Sequence, residues 1–181
     1  MLPPIPTWDG LHPLIVHFPI ALLLVAPVLV IVGLVLYRHY LWFAISALVL
    51  MILGTAAAFV AVSTGEAAGE LALRTPEINA ALERHEALAE TTQWVFLGLT
   101  ILFALLVFVP QIVKRPLKRL PGSIVAVVFL LIYSGGMLLV ANTGHAGGRL
   151  VHEFGVQALV AETPADAASG FSLGDDDADE D

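Results

Sequence analysis

The sequence predicts an all-α integral membrane four-helix bundle, built as two pseudo-symmetric helical hairpins. Three observations carry that expectation. Of 181 residues, 58% are hydrophobic and only 13% charged, with a mean hydropathy of +0.88; soluble domains are about half apolar and about a quarter charged. Four apolar runs are each long enough to cross a hydrocarbon core of roughly 30 Å, which takes about 20 helical residues. A glycine-containing motif also recurs after the second and fourth runs.

The N-terminal stretch MLPPIPTWDGLHP has no basic start and no small-residue cleavage site. It reads as a mature end, so the first span itself is expected to direct insertion. Residues 13–36 form that span, free of Asp, Glu, Lys and Arg and interrupted by Pro19 and Pro27. Prolines kink membrane helices without ending them. Tyr37-Arg38-His39-Tyr40 is a tight turn with interfacial aromatics, and 41–62 is span two, whose alanine-rich far end suits close helix contact. In the polar segment 63–93, Gly65 and Gly69 are expected to break the helix. Thr75-Pro76 then restarts it with a capping residue and a first-position proline. An amphipathic helix over 76–93 should run on into span three, 94–113, as one rod. The connection 114–121 is basic and ends in Pro-Gly. Span four is 123–141, with Gly135-Gly136 as a packing surface. A glycine-rich piece at 143–148 and an amphipathic piece at 149–160 follow. The membrane domain is thus 1–161; the acidic tail 162–181, poor in apolar residues, reads as disordered.

Charge segregation orients these spans. All 16 acids fall at Asp9, between Glu66 and Glu90, and from Glu153 onward. Arg38, Lys114, Arg115, Lys118 and Arg119 lie in two turns that contain no acid. By the positive-inside rule those turns are cytoplasmic, and both termini and the 63–93 segment lie outside a bacterial inner membrane. With no cysteine, disulfides, thiolate metal sites and covalently attached haem are excluded. No basic face is broad enough for nucleic acid.

VSTGEAAGELA, from Val62, aligns with ANTGHAGGRLV, from Ala141, at an offset of 79 residues. Thr64, Gly65, Ala67, Gly69 and Leu71 match Thr143, Gly144, Ala146, Gly148 and Leu150. Each copy closes a hairpin of two spans, which implies a pseudo-two-fold axis along the membrane normal. The plainer alternative is a good helix terminator used twice.

Five of the six histidines, His12, His17, His85, His145 and His152, fall at the outer end. His17 lies about 6 Å into the apolar run, where an ionisable side chain is costly unless paired or liganded. His12 and His17 are five residues apart, so on a helix they point about 140° away from each other. His12 precedes Pro13, which biases it out of helical geometry. HPLIVHFPIALL, STGEAAGE, the His85 segment and TGHAGGRLVHEFGV together resemble the bacterial membrane family termed domain of unknown function 2231, over residues 11–156. The resemblance implies a four-span membrane protein and brings no activity with it. Many members have a tyrosine before the last histidine–glycine pair, whereas this chain reads Val151-His152-Glu153-Phe154-Gly155, which leaves His152 without a role by analogy.

Three functional readings remain open on sequence alone. A b-type haem for electron transfer would take His17 and His85 as axial ligands, with His145 and His12 in reserve and Arg149 on a propionate. A zinc or copper ion would take His17, His85, Glu86 and His145. An accessory subunit would use its small-residue surfaces for a membrane-complex partner, a redox partner or a second copy of itself. No HExxH-type spacing is present, so an enzyme is not indicated.

Overall fold

The computed structural model describes residues 7–72, 75–115 and 119–156. A short helix α1 (His12–Ile15) leads into α2 (His17–Val35), followed by α3 (Tyr40–Glu70), α4 (Pro76–Ile112) and α5 (Arg119–His152). No strand occurs among the described residues. The tail 162–181 and the end of the 149–160 piece lie outside them. α2 packs along α3, α3 along α4, α4 along α5, and α5 closes back on α2. The result is a four-helix ring, with α1 laid against the far end of α3. Four helices, one of them α1 and α2 taken together, are long and apolar enough to cross a membrane.

The helices are apolar outside as well as inside, as expected where lipid replaces water. Leu24, Val28, Ile52, Leu105 and Leu131 face outward, while Leu23, Ala26, Met51, Phe96, Phe103, Phe129 and Tyr133 fill the centre. An aromatic ladder joins α4 and α5. Phe103 stacks on Phe129 with ring centroids 4.7 Å apart, and Phe96 meets Tyr133 edge-on at 5.4 Å. The Tyr133 hydroxyl donates to the Leu23 carbonyl at 2.7 Å. Pro27, four residues on, has no N–H to give that carbonyl. Tyr133 therefore satisfies the acceptor that the proline orphans. Tyr133→Phe is expected to cost about 1–2 kcal/mol. In a Pro27→Ala background, where the helix supplies its own donor, it should cost less than half as much. A double-mutant cycle on denaturant stability in detergent reads that coupling; equal losses in both backgrounds would dismiss it.

Of the two glycines expected to break the helix, Gly65 does not, and Gly69 lies one residue before the end of α3. α3 continues through Gly65 and Gly69 to Glu70, and α5 runs through the glycine-rich piece to His152. The break expected at Gly65 is corrected by packing: glycine there costs helix propensity but admits the His12 ring closely. α4, at 37 residues, is about 55 Å long and overshoots the hydrocarbon core. Its segment before the exposed Trp94 lies with the ends of α3 and α5 at one end of the bundle. His12 and His85 stand at this end, outside the apolar runs 13–36 and 94–113.

Candidate functional site

His12 opens α1 with φ −50° and ψ −50°, helical despite the proline that follows. Pro13 sits in the first turn, where its missing N–H has no partner to lose. The ring turns inward onto α3. Its Nδ1 donates to the Ala61 carbonyl at 2.9 Å and lies 3.3 Å from the Thr64 hydroxyl oxygen. The Thr64 hydroxyl itself donates back to the Val60 and Ala61 carbonyls, both at 3.0 Å. It is thereby left as an acceptor toward His12.

The second hairpin repeats the device. His85 on α4 donates from Nδ1 to the Thr143 carbonyl of α5 at 3.1 Å. Thr143 Oγ1 donates to the Leu139 carbonyl at 2.9 Å, four residues back, as Thr64 does to Val60. Thr143 also meets Thr92 of α4, hydroxyl to hydroxyl, at 2.9 Å. The correspondence is offset by a helical turn. His12 bonds the carbonyl three residues before its threonine, and His85 bonds that of the threonine itself. Each histidine ties the two sides of its own hairpin together, and the two rings then meet between hairpins. Their centroids are 6.4 Å apart and their planes stand at 82°.

Glycine makes this approach possible. A Cβ built on Gly65 would lie 2.8 Å from His12 Cε1, and one on Gly147 would lie 3.0 Å from His85 Cε1. Gly144 and Gly148, the glycines that match across the repeat, have no heavy atom within 4 Å of such a Cβ. The glycine that admits the second imidazole is therefore the one outside the matched set.

Both imidazoles are partly buried. Desolvation holds His12 below the ordinary histidine range, against a smaller upward pull from its bond to Ala61. Desolvation also lowers His85, the charge of a protonated His12 would lower it further, and the Thr143 bond opposes both. The neutral forms are thus favoured at neutral pH. A carbonyl partner requires the proton on Nδ1, so Nε2 of each ring keeps its lone pair.

The other candidate residues lie elsewhere. His17 is exposed, turned away from His12 as the 140° separation on a helix requires. His85 therefore meets His12 and not His17. His145 and His152 are exposed on α5. Arg149 forms an ion pair with Glu153 at 2.7 Å, and its guanidinium carbon lies 6.0 Å from the Phe154 ring centre. Glu86 lies along Gly69, where an added Cβ would come within 3.1 Å of its Oε1. Among the described residues, no group of three or more His, Cys, Asp and Glu side chains is placed to hold a metal ion. Among the described residues, the two imidazoles that come together are those of His12 and His85. Thr64, Thr143, Gly65 and Gly147 were the unrecognised members of the site; the repeated TG motif was the signal for the first three, and Gly147 lies outside it.

No curated protein and no solved structure matches the chain. A family model does, over residues 9–159, which takes in both hairpins, all five helices and both inward-facing histidines. The chain belongs to DUF2231, a family of predicted membrane proteins.

Proposed function

We propose that this integral membrane protein binds a transition-metal ion, copper(I) first among them, between His12 and His85. The observation that carries the reading is the pair itself: two neutral imidazoles, each fixed through Nδ1 to a backbone carbonyl, meeting edge-on across the hairpin interface. Metal-binding histidines are held in this way, with the far nitrogen bonded outward and the lone pair presented to the ion. Two imidazole bonds of about 2.0 Å on one ion bring ring centroids to roughly 6 Å, close to the 6.4 Å separation found. Copper(I) is satisfied by two nitrogen donors in line. Zinc would need further ligands from outside the described residues to complete its four. Applied to this chain, the positive-inside rule puts the site on the outer side of a bacterial inner membrane, with both termini.

A b-type haem is the second reading, since the same separation and crossed planes suit two axial imidazoles on one iron. It asks more of the fold. The backbones at Gly65 and Gly147 lie against the rings where the macrocycle would spread.

Copper(I) titration of the detergent-purified protein under reducing conditions, against a competing chelator, decides the matter. One ion per chain is expected. His12→Ala and His85→Ala should each lose more than the 10–100-fold typical of outer-shell losses, with His17→Ala and His145→Ala unchanged. Equal weakening by all four variants, or no retained copper, sinks the proposal. A dithionite-sensitive Soret band in protein from haem-supplied cells, lost in His12→Ala, would favour the haem instead.

A further inference from the structure

The opposite end of the bundle holds a cavity of about 240 Å³ between the end of α2, the Tyr37–His39 turn, the last turns of α4 and the start of α5. Its inner wall includes Phe103, Val107 and Ala126, all members of the bundle core. Its polar lining is Tyr37, Arg38, Tyr40 and Gln111. Arg119 lies beside it, its guanidinium carbon 5.1 Å from the centre of the Tyr37 ring, and Tyr37 stacks on Tyr40. Lys114 and Arg115 follow at the end of α4. The chain has no acidic residue from 10 to 65 or from 91 to 152, so this positive charge has no counter-charge in either turn.

We propose that this cavity binds an anionic phospholipid. The glycerol and the head of one acyl chain would lie against Phe103 and Ala126, with the phosphate between Arg38 and Arg119. Size and position select that occupant. Pockets that enclose a soluble ligand run to roughly 300–1,000 Å³, so this one takes part of a molecule whose remainder stays outside. It lies where an apolar core meets a basic turn, at the boundary of hydrocarbon and headgroups, and basic pockets between membrane helices at that depth hold acidic headgroups. The uncompensated arginines select a net negative headgroup over a zwitterionic one.

The test is native mass spectrometry of the full chain from micelles carrying phosphatidylglycerol or phosphatidylcholine of the same acyl chains. One phosphatidylglycerol retained per chain is expected, in clear preference to phosphatidylcholine. Arg38→Gln and Arg119→Gln should each weaken retention about fivefold, the effect of one basic residue near a lipid surface. Ala126→Leu, which fills the apolar wall and keeps both charges, should weaken it as well, with melting behaviour verifying that each variant is folded. Equal retention of the two lipids overturns the proposal, as does indifference to both arginine changes. Protection from unfolding by inorganic phosphate equal to that by the lipid also overturns it, since the site would then be an anion site alone. None of these readouts depends on the histidine end.

Discussion

Gly147→Ala is expected to destabilise the protein by about 1–3 kcal/mol, the usual cost of overpacking, while its neighbour Gly148→Ala leaves stability unchanged or raises it. The difference comes from one ring. The added methyl at 147 would stand 3.0 Å from His85 Cε1, and Cε1 is bonded to the Nδ1 that holds the Thr143 carbonyl. The imidazole cannot retreat without giving up that bond. Gly65→Ala should be as damaging or worse, since its methyl would come within 2.8 Å of His12 Cε1 and His12 is anchored to Ala61 and Thr64. At 144 and 148 the methyl meets nothing, so alanine there should gain about 0.5–1 kcal/mol of helix preference. Denaturation in detergent gives the stabilities, and the copper(I) titration gives the affinity. Gly65→Ala and Gly147→Ala should fall in both, Gly144→Ala and Gly148→Ala in neither. A common loss at all four positions would mean that the glycines serve the helices and not the histidines.

The repeated TG motif also marks the limit of what the residues alone disclose. Four apolar runs and two acid-free basic turns suffice for a four-helix membrane bundle, because a hydrocarbon slab imposes length and composition with little freedom. Which face of each helix turns inward is another matter. In water an amphipathic stripe reveals it; α2 is apolar on every side, so its sequence holds no such stripe. His12 and His17 were bound to diverge, but which of them enters the bundle is set by the rotation of α1 and α2 against α3. Leu23, Ala26 and Val30 fix that rotation by packing into the core. The glycines misled for a related reason. Their low helix propensity costs about 1 kcal/mol at each position, too little to end a long apolar helix whose backbone groups have no water to turn to, so α3 runs through Gly65 and α5 through Gly144 and Gly148. The Tyr133–Leu23 bond was legible in only one half: Pro27 announces an orphaned carbonyl, but nothing local says which side chain reaches it.

Stability should fall on acidification through the ordinary histidine value of 6.5 and below it, and the fall should be shallower once either His12 or His85 is replaced. The sign follows from burial. Both imidazoles are held below their ordinary value of 6.5 in the fold. In the unfolded chain they titrate near that value. Between the two, the unfolded chain binds protons that the native protein refuses, so stability rises with pH through that window and levels off above it. Protonating the pair in place would set two positive rings 6.4 Å apart, which is why a charge on one resists a charge on the other. His12→Gln and His85→Gln each remove one of these groups, and should lower the number of protons linked to unfolding by up to one. Unfolding free energy measured across the range in detergent gives that number from its slope. A slope identical in wild type and both variants would show that the pair does not govern the acid limb. Copper(I) adds a separable expectation. An ion held by both Nε2 lone pairs competes with protons for the same site, so loading it should move the acid limb to lower pH in the wild type and leave His85→Gln where it was.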